Sequence, residues 1–133
     1  MFEGNQLQFF FQLFLAAILG SIIGIEREYK KKEAGLQTYS LVTLGSCLFT
    51  IIALRLFDFF PDKNGIRLDP ASIIQAIAVG IGFLGAGVIL RQQSGVVGLT
   101  TAAGLWVAAA IGIAFGASFY YIAVFQSHLI AGR

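Results

Sequence analysis

Residues 71–90 read ASIIQAIAVGIGFLGAGVIL. The stretch carries no charge, and Ser72 and Gln75 are its polar side chains. At about 1.5 Å rise per residue, a helix of this length covers the ~30 Å hydrocarbon core of a bilayer. A barrel strand needs only about 9–11 residues and alternates polar with apolar, which this run does not. Inside lipid a backbone must satisfy its own hydrogen bonds, so the run is predicted to be a membrane-spanning helix. Asp69-Pro70 stands before it and Arg91 after it.

The same pattern repeats outward along the chain. Apolar runs cover 7–25, 38–57 and 99–115, and a shorter one covers 117–131 with Gln126 and His128 in it. Five helices are expected. Because the last run is short, a four-helix reading, with that run continuing the fourth helix, stands beside the five-helix one. Composition agrees. Hydrophobic residues make up 57% of the 133, charged ones 12%, and there are 16 glycines. Mean hydropathy is +0.81. Soluble domains carry about 25% charge, and a chain this short cannot hide so much apolar surface from water. The expected class is an all-α polytopic transmembrane bundle, one domain over 1–133, with the lipid bilayer as its first partner. The N-terminus, with Glu3 in place of a basic start, does not read as a cleavable signal. A net charge of +2 gives no reason to expect a nucleic-acid partner.

Connections are short. Residues 26–37 read EREYKKKEAGLQ and hold Arg27, Lys30, Lys31 and Lys32. Residues 91–98, RQQSGVVG, begin with Arg91 and are expected to form a loop. The connection at 58–70 holds Asp58, Asp62 and Asp69 against Lys63 and Arg67. Positive charge marks the cytoplasmic side, so 26–37 and 91–98 are predicted inside, and Met1 and the acidic connection outside.

Glycines crowd the third run at Gly80, Gly82, Gly85 and Gly87, and GxxxG pairs occur at Gly20/Gly24 and Gly112/Gly116. Small residues let membrane helices approach closely, so these positions are expected to pack, within one subunit or between two. Two sharper readings compete. Residues 80–85 match GxGxxG, but a dinucleotide site needs a preceding strand and an acidic residue about 20 positions on, and neither is present. Unwinding over 82–87 would expose carbonyls to an ion, as broken transporter helices do.

Polar residues give a second map. Glu26 and Arg27 follow the first span directly, Arg91 ends the third, and Thr100-Thr101 open the fourth. Topology places these five at one membrane face, as anchors and caps or as a contact site. Asp69 before Pro70 is a helix cap or, with Asp58 and Asp62, a weak contact for hydrated Mg²⁺. No cofactor is expected beyond that weak cation. Lone His128 and lone Cys47 make no transition-metal or nucleophilic constellation, so enzyme chemistry is not expected. Thr43, Ser46, Thr50 and Gln75 are the mid-span polar groups.

The blocks GSIIGIERE (20–28), AGLQTYSLVTLGS (34–46), DPASIIQAIAVGIGFLGAGVILR (69–91) and GLTTAAGLWVAAAIGIAFG (98–116) closely resemble the membrane domain of the MgtC/SapB family. The resemblance implies a bacterial inner-membrane protein of about five helices, without the cytosolic C-terminal domain of longer members. It implies roles in growth at low magnesium and in survival inside hosts. Some members are thought to restrain the proton-driven ATP synthase. The family's ER pair falls on Glu26-Arg27, its DP pair on Asp69-Pro70 and its arginine after the glycine-rich run on Arg91. This chain departs from the pattern at Gln37, Gln92 and Val97, where charged residues are usual, and at Thr100, where virulence-linked members have Asn.

Two functions are carried forward. One is a non-enzymatic regulator, homodimeric through small-residue faces, that binds another membrane complex such as the ATP synthase. The other is a transporter or channel for Mg²⁺ or another cation. Nearly empty span interiors favour the first, because a conducting path needs ionisable groups in the spans.

Overall fold

The computed structural model describes residues 2–59, 69–92 and 95–131. The chain folds as α1 (Phe2–Tyr29), α2 (Leu36–Phe59), α3 (Pro70–Val88), β1 (Leu90–Gln92), β2 (Gly95–Val97), α4 (Leu99–Gly116) and α5 (Tyr120–Ala131). Four helices are long and apolar enough to cross a membrane, over Gln6–Tyr29, Leu36–Leu56, Ala71–Val88 and Leu99–Gly116. The fifth is separate but has 12 residues, about 18 Å of helix, well short of a bilayer core.

Local chemistry sets the ends. At the start of α3, Asp69 Oδ1 accepts the Ala71 N–H at 3.0 Å and Oδ2 accepts the Ser72 hydroxyl at 3.0 Å, with Pro70 in the first turn. This satisfies donors that a helix N-terminus otherwise leaves orphaned. The α1–α2 turn reverses at Lys31, which has φ 54°. The α4–α5 turn reverses at Ser118 (φ 69°), where Phe119 N–H reaches back to Ala114 O at 2.7 Å.

The third connection differs from the loop expected there. Leu90–Gln92 and Gly95–Val97 pair antiparallel, with Leu90 opposite Val97, Arg91 opposite Val96 and Gln92 opposite Gly95. Val96 and Val97 are β-branched and favour extended backbone. The helix therefore stops at Val88, and the chain re-enters through Gly98 at φ 92°. A side chain at 98 would collide with Val88 O, so glycine is required both for the conformation and for the approach.

In the bundle α2 lies against both α1 and α4, α3 leans mainly on α4, and α5 packs on α4 and α1. Ile23, Tyr39, Cys47, Leu105, Ile111 and Phe115 fill the centre. The paired glycines of α1 and α4 both press on α2. A Cβ on Gly24 would sit 2.6 Å from Leu36 Cα, and one on Gly116 2.6 Å from Thr50 Cβ. At Gly20 it would lie 2.8 Å from Tyr39 O, and at Gly112 3.1 Å from Cys47 N.

Helix α3 is different. Half of the α4 window is buried but only 6% of the α3 window. Nothing lies within 4 Å of a Cβ placed on Gly80, Gly82 or Gly87, and only Gly85 of this group meets a neighbour, Ala102 Cβ at 3.4 Å. Intrachain packing at Gly80, Gly82 and Gly87 is thus corrected: α3 meets the bundle along one narrow face, Gly80 borders an open groove beside α2, and Gly82 and Gly87 touch no neighbouring element. The helix is also continuous from Pro70 to Val88, so it does not unwind at 82–87.

Candidate functional site

Antiparallel helices bring the C-termini of α1 and α3 and the N-termini of α2 and α4 to one end of the bundle, together with the hairpin. This end, the basic end, carries Arg27, Lys30, Lys31 and Lys32. Glu26 and Lys30, one helical turn apart, form a 2.9 Å ion pair that is largely solvated. Such a pair contributes about 0.3–0.5 kcal/mol. Arg27 behaves differently. Only 9% of it is exposed, and among the described residues its guanidinium makes no hydrogen bond and no ion pair.

Thr101 is the other buried polar group here, 1% exposed in the first turn of α4. Its hydroxyl donates to Glu33 Oε1 at 3.1 Å, and its carbonyl accepts the Tyr39 hydroxyl at 3.4 Å. Tyr39 lies within electrostatic reach of both Arg27 and Glu33. The α4 N-terminus starts at Gly98 without a side-chain cap, so its first N–H groups point toward this end unsatisfied by a cap residue. Thr100 is exposed beside it. Arg91 places its backbone in β1 opposite Val96, and its side chain lies outside the described residues.

Of the five polar residues predicted at this face, the structure thus brings Arg27 and Thr101 into one buried cluster. Glu26 stays in its own pair with Lys30, and Thr100 faces out. Buried Tyr39 and, at the exposed edge, Glu33 complete the cluster and were not singled out in the sequence. Their signal was position. A tyrosine one turn into an apolar span needs a partner for its hydroxyl, and a carboxylate three residues before a helix start can reach a neighbouring helix terminus.

At the other end Asp69 caps α3 and is exposed. The three-carboxylate Mg²⁺ contact cannot be placed: Asp62, Lys63 and Arg67 lie outside the described residues, as does the side chain of Asp58. Gln12 on α1 is 2% exposed, and its amide donates to Phe115 O at 2.7 Å, Gly116 O at 3.1 Å and Ser118 Oγ at 3.1 Å. It ties α1 to the end of α4. Arg55 stacks over the Phe9 ring at 4.8 Å. Between α2 and α3 an apolar groove of about 610 Å³ runs past Leu41, Gly45, Phe49, Ile77, Gly80 and Leu84.

Mid-span polar groups are committed to helix backbone. Thr43 Oγ1 donates to Ala16 O at 2.8 Å, Ser46 Oγ to Val42 O at 2.8 Å and Thr50 Oγ1 to Ser46 O at 2.7 Å. Gln75 faces outward on α3. Among the described residues no three His, Cys, Asp or Glu side chains come together.

Fold and site together define a multi-pass membrane helix bundle with a polar cluster at its basic end. The chain belongs to the MgtC family, whose sequence profile matches residues 13–132. It is similar to protein SapB of Bacillus subtilis, 44% identical over 110 residues, covering 82% of this chain and 47% of SapB. Similarity to protein MgtC of Salmonella typhimurium is 42% over 104 residues, covering 78% of this chain and 41% of MgtC. YhiD of Escherichia coli K12, whose name marks it as a candidate magnesium transporter, is 42% identical over 120 residues, covering 90% of this chain and 56% of YhiD. The chain spans about half the length of these relatives. No solved structure matches it significantly.

Proposed function

We propose that this is a non-enzymatic protein of the bacterial inner membrane that acts by contact with another membrane complex, in the setting of low magnesium or host stress that the family resemblance implies. The observation that carries this reading is the fate of the buried polar groups. Gln12 spends its donors mainly on α4 backbone and Thr43 donates to α1 backbone, while Ser46 and Thr50 donate to carbonyls of their own helix α2. Two of these groups tie helices together and two are spent within their own helix, so their donors are not left to line a hydrated path, which conduction would need. Helix α3, with 6% of its span buried, offers its outward face to a partner or to a second copy in a homodimer. Orientation follows the positive charge: the basic end inside, Asp69 outside. The ATP synthase is the first partner to test, because the family resemblance names it.

A second reading, transport of Mg²⁺, has the name of YhiD in its favour. One experiment separates the two. Purified protein in proteoliposomes is expected to show no saturable Mg²⁺ flux. Saturable flux that Asp69→Ala abolishes would make the protein a transporter.

A further inference from the structure

The outward face of α3 suits lipid poorly. Its span, Ala71–Val88, has 18 residues, about 27 Å, with no length to spare in a ~30 Å hydrocarbon core. Gln75 lies on the second turn, exposed, and its amide makes no hydrogen bond among the described residues. Lipid tails offer it neither donor nor acceptor, so it calls for a polar partner at the same depth. Gln75, Val79 and Phe83 follow at four-residue spacing and share one side of the helix. Phe83 is 81% exposed there, with Gly80 one turn before it and Gly87 one turn after. A Cβ on either glycine would meet nothing within 4 Å. Beside Gly80 the groove of about 610 Å³ opens toward α2, where Gly45 is equally bare. One surface therefore carries an unsatisfied amide, a projecting ring and a recess.

We propose that this face binds a second copy of the chain through a parallel α3–α3 contact about a twofold axis. The proposal rests on the reading of α3 as a contact surface and commits that surface to one occupant. Orientation comes first. The charge that sets one copy in the membrane sets the other the same way, so the axis runs along the membrane normal and the two α3 helices meet parallel. The two copies of Gln75 then stand at equal depth. Each amide carries both donor and acceptor, so the pair satisfies itself reciprocally, which an unrelated helix does only with a polar residue at that level. Shape points the same way. An isologous contact needs projection and recess on the same patch, and α3 has both. In a parallel pair the Phe83 ring of each copy comes level with the gap between Gly80 and Gly87 of the other, a knob in a hole floored by helix backbone. The groove past Gly80 gives the ring room on the α2 side.

The test has two arms, both on the full chain. In native membranes, with Cys47→Ser as background, Val79→Cys is expected to give a disulfide-linked dimer under a membrane-permeant oxidant. Phe14→Cys, equally lipid-exposed but on α1, is expected to give none. Equal dimer from both cysteines, or none from Val79→Cys, overturns the proposal. In detergent, sedimentation equilibrium of the wild type should show a monomer–dimer equilibrium. Phe83→Ala should weaken it about tenfold and Gln75→Leu about fivefold. Gly80→Leu should weaken it as much as Phe83→Ala, because it fills the recess from the receiving side. All three changes lie on an exposed face, so thermal midpoints of the monomers should stay near wild type. A monomeric wild type, or a dimer that all three variants leave intact, sinks the α3 contact. The flux measurement reads the functional proposal separately, so a monomer would still leave contact with a different membrane complex standing.

Discussion

Gln12 shows how much a single amide does in a bundle of this kind. It bonds to two carbonyls at the C-terminal end of α4: Phe115 O, which also accepts the Ser118 N–H at 3.1 Å, and Gly116 O. Replacement by leucine keeps most of the volume and strands Gly116 O. In membranes such bonds contribute roughly 0.6 kcal/mol on average and up to about 1.7, and three converge here. Gln12→Leu is therefore expected to lower unfolding free energy by about 1–2 kcal/mol in a detergent unfolding titration; an unchanged midpoint would mean that the amide is incidental. Asp69 poses a different question, because cap and cation contact predict different variants. Asn caps about as well as Asp, whereas Ala costs about 1 kcal/mol. Asp69→Ala should lower the thermal midpoint and Asp69→Asn should not, with or without added Mg²⁺. Equal losses in both variants that appear only with Mg²⁺ would point instead to a carboxylate–cation contact.

At the scale of helices, glycine content alone does not say which faces touch. Gly20/Gly24 and Gly112/Gly116 lie against α2 backbone, while Gly80, Gly82 and Gly87 of the richest stretch have nothing within 4 Å. The difference was not legible in sequence, because a small-residue stripe serves equally well inside one chain and between two. Contrasting variants separate the cases. Gly112→Leu should prevent folding, since its side chain would be driven into α2 at Cys47 and Thr43. Gly82→Leu should change stability by less than about 0.5 kcal/mol, as surface substitutions do. If α3 holds a second copy, Gly82→Leu will also shift the particle mass from dimer to monomer in light scattering; a mass that stays put removes this face from the interface. Helix number and limits were legible because length and charge fix them. The hairpin at 90–97 was not, since two three-residue strands carry too little pattern to stand out from a polar loop. The buried cluster was half legible: Arg27 and Thr101 follow from topology, but Glu33 and Tyr39 join only once α2 and α4 are seen side by side.

For the molecule as a whole, the arrangement in the membrane governs every other reading. The basic end holds Arg27 and Lys30–Lys32, and Asp69 caps a helix at the other end. If positive charge sets orientation, the polar cluster at the basic end faces the cytoplasm, and Mg²⁺ outside the cell meets Asp69. The chain is well suited to a direct test, since its single cysteine, Cys47, is buried between helices. In a Cys47→Ser background, Lys31→Cys and Asp69→Cys each add one exposed thiol at opposite ends. A membrane-impermeant maleimide applied to intact spheroplasts is expected to label the second and not the first, and detergent lysis should make both reactive. The reverse pattern would invert the topology. It would turn the polar cluster outward. It would also remove the cytoplasmic lysines from any contact with the soluble parts of a partner complex.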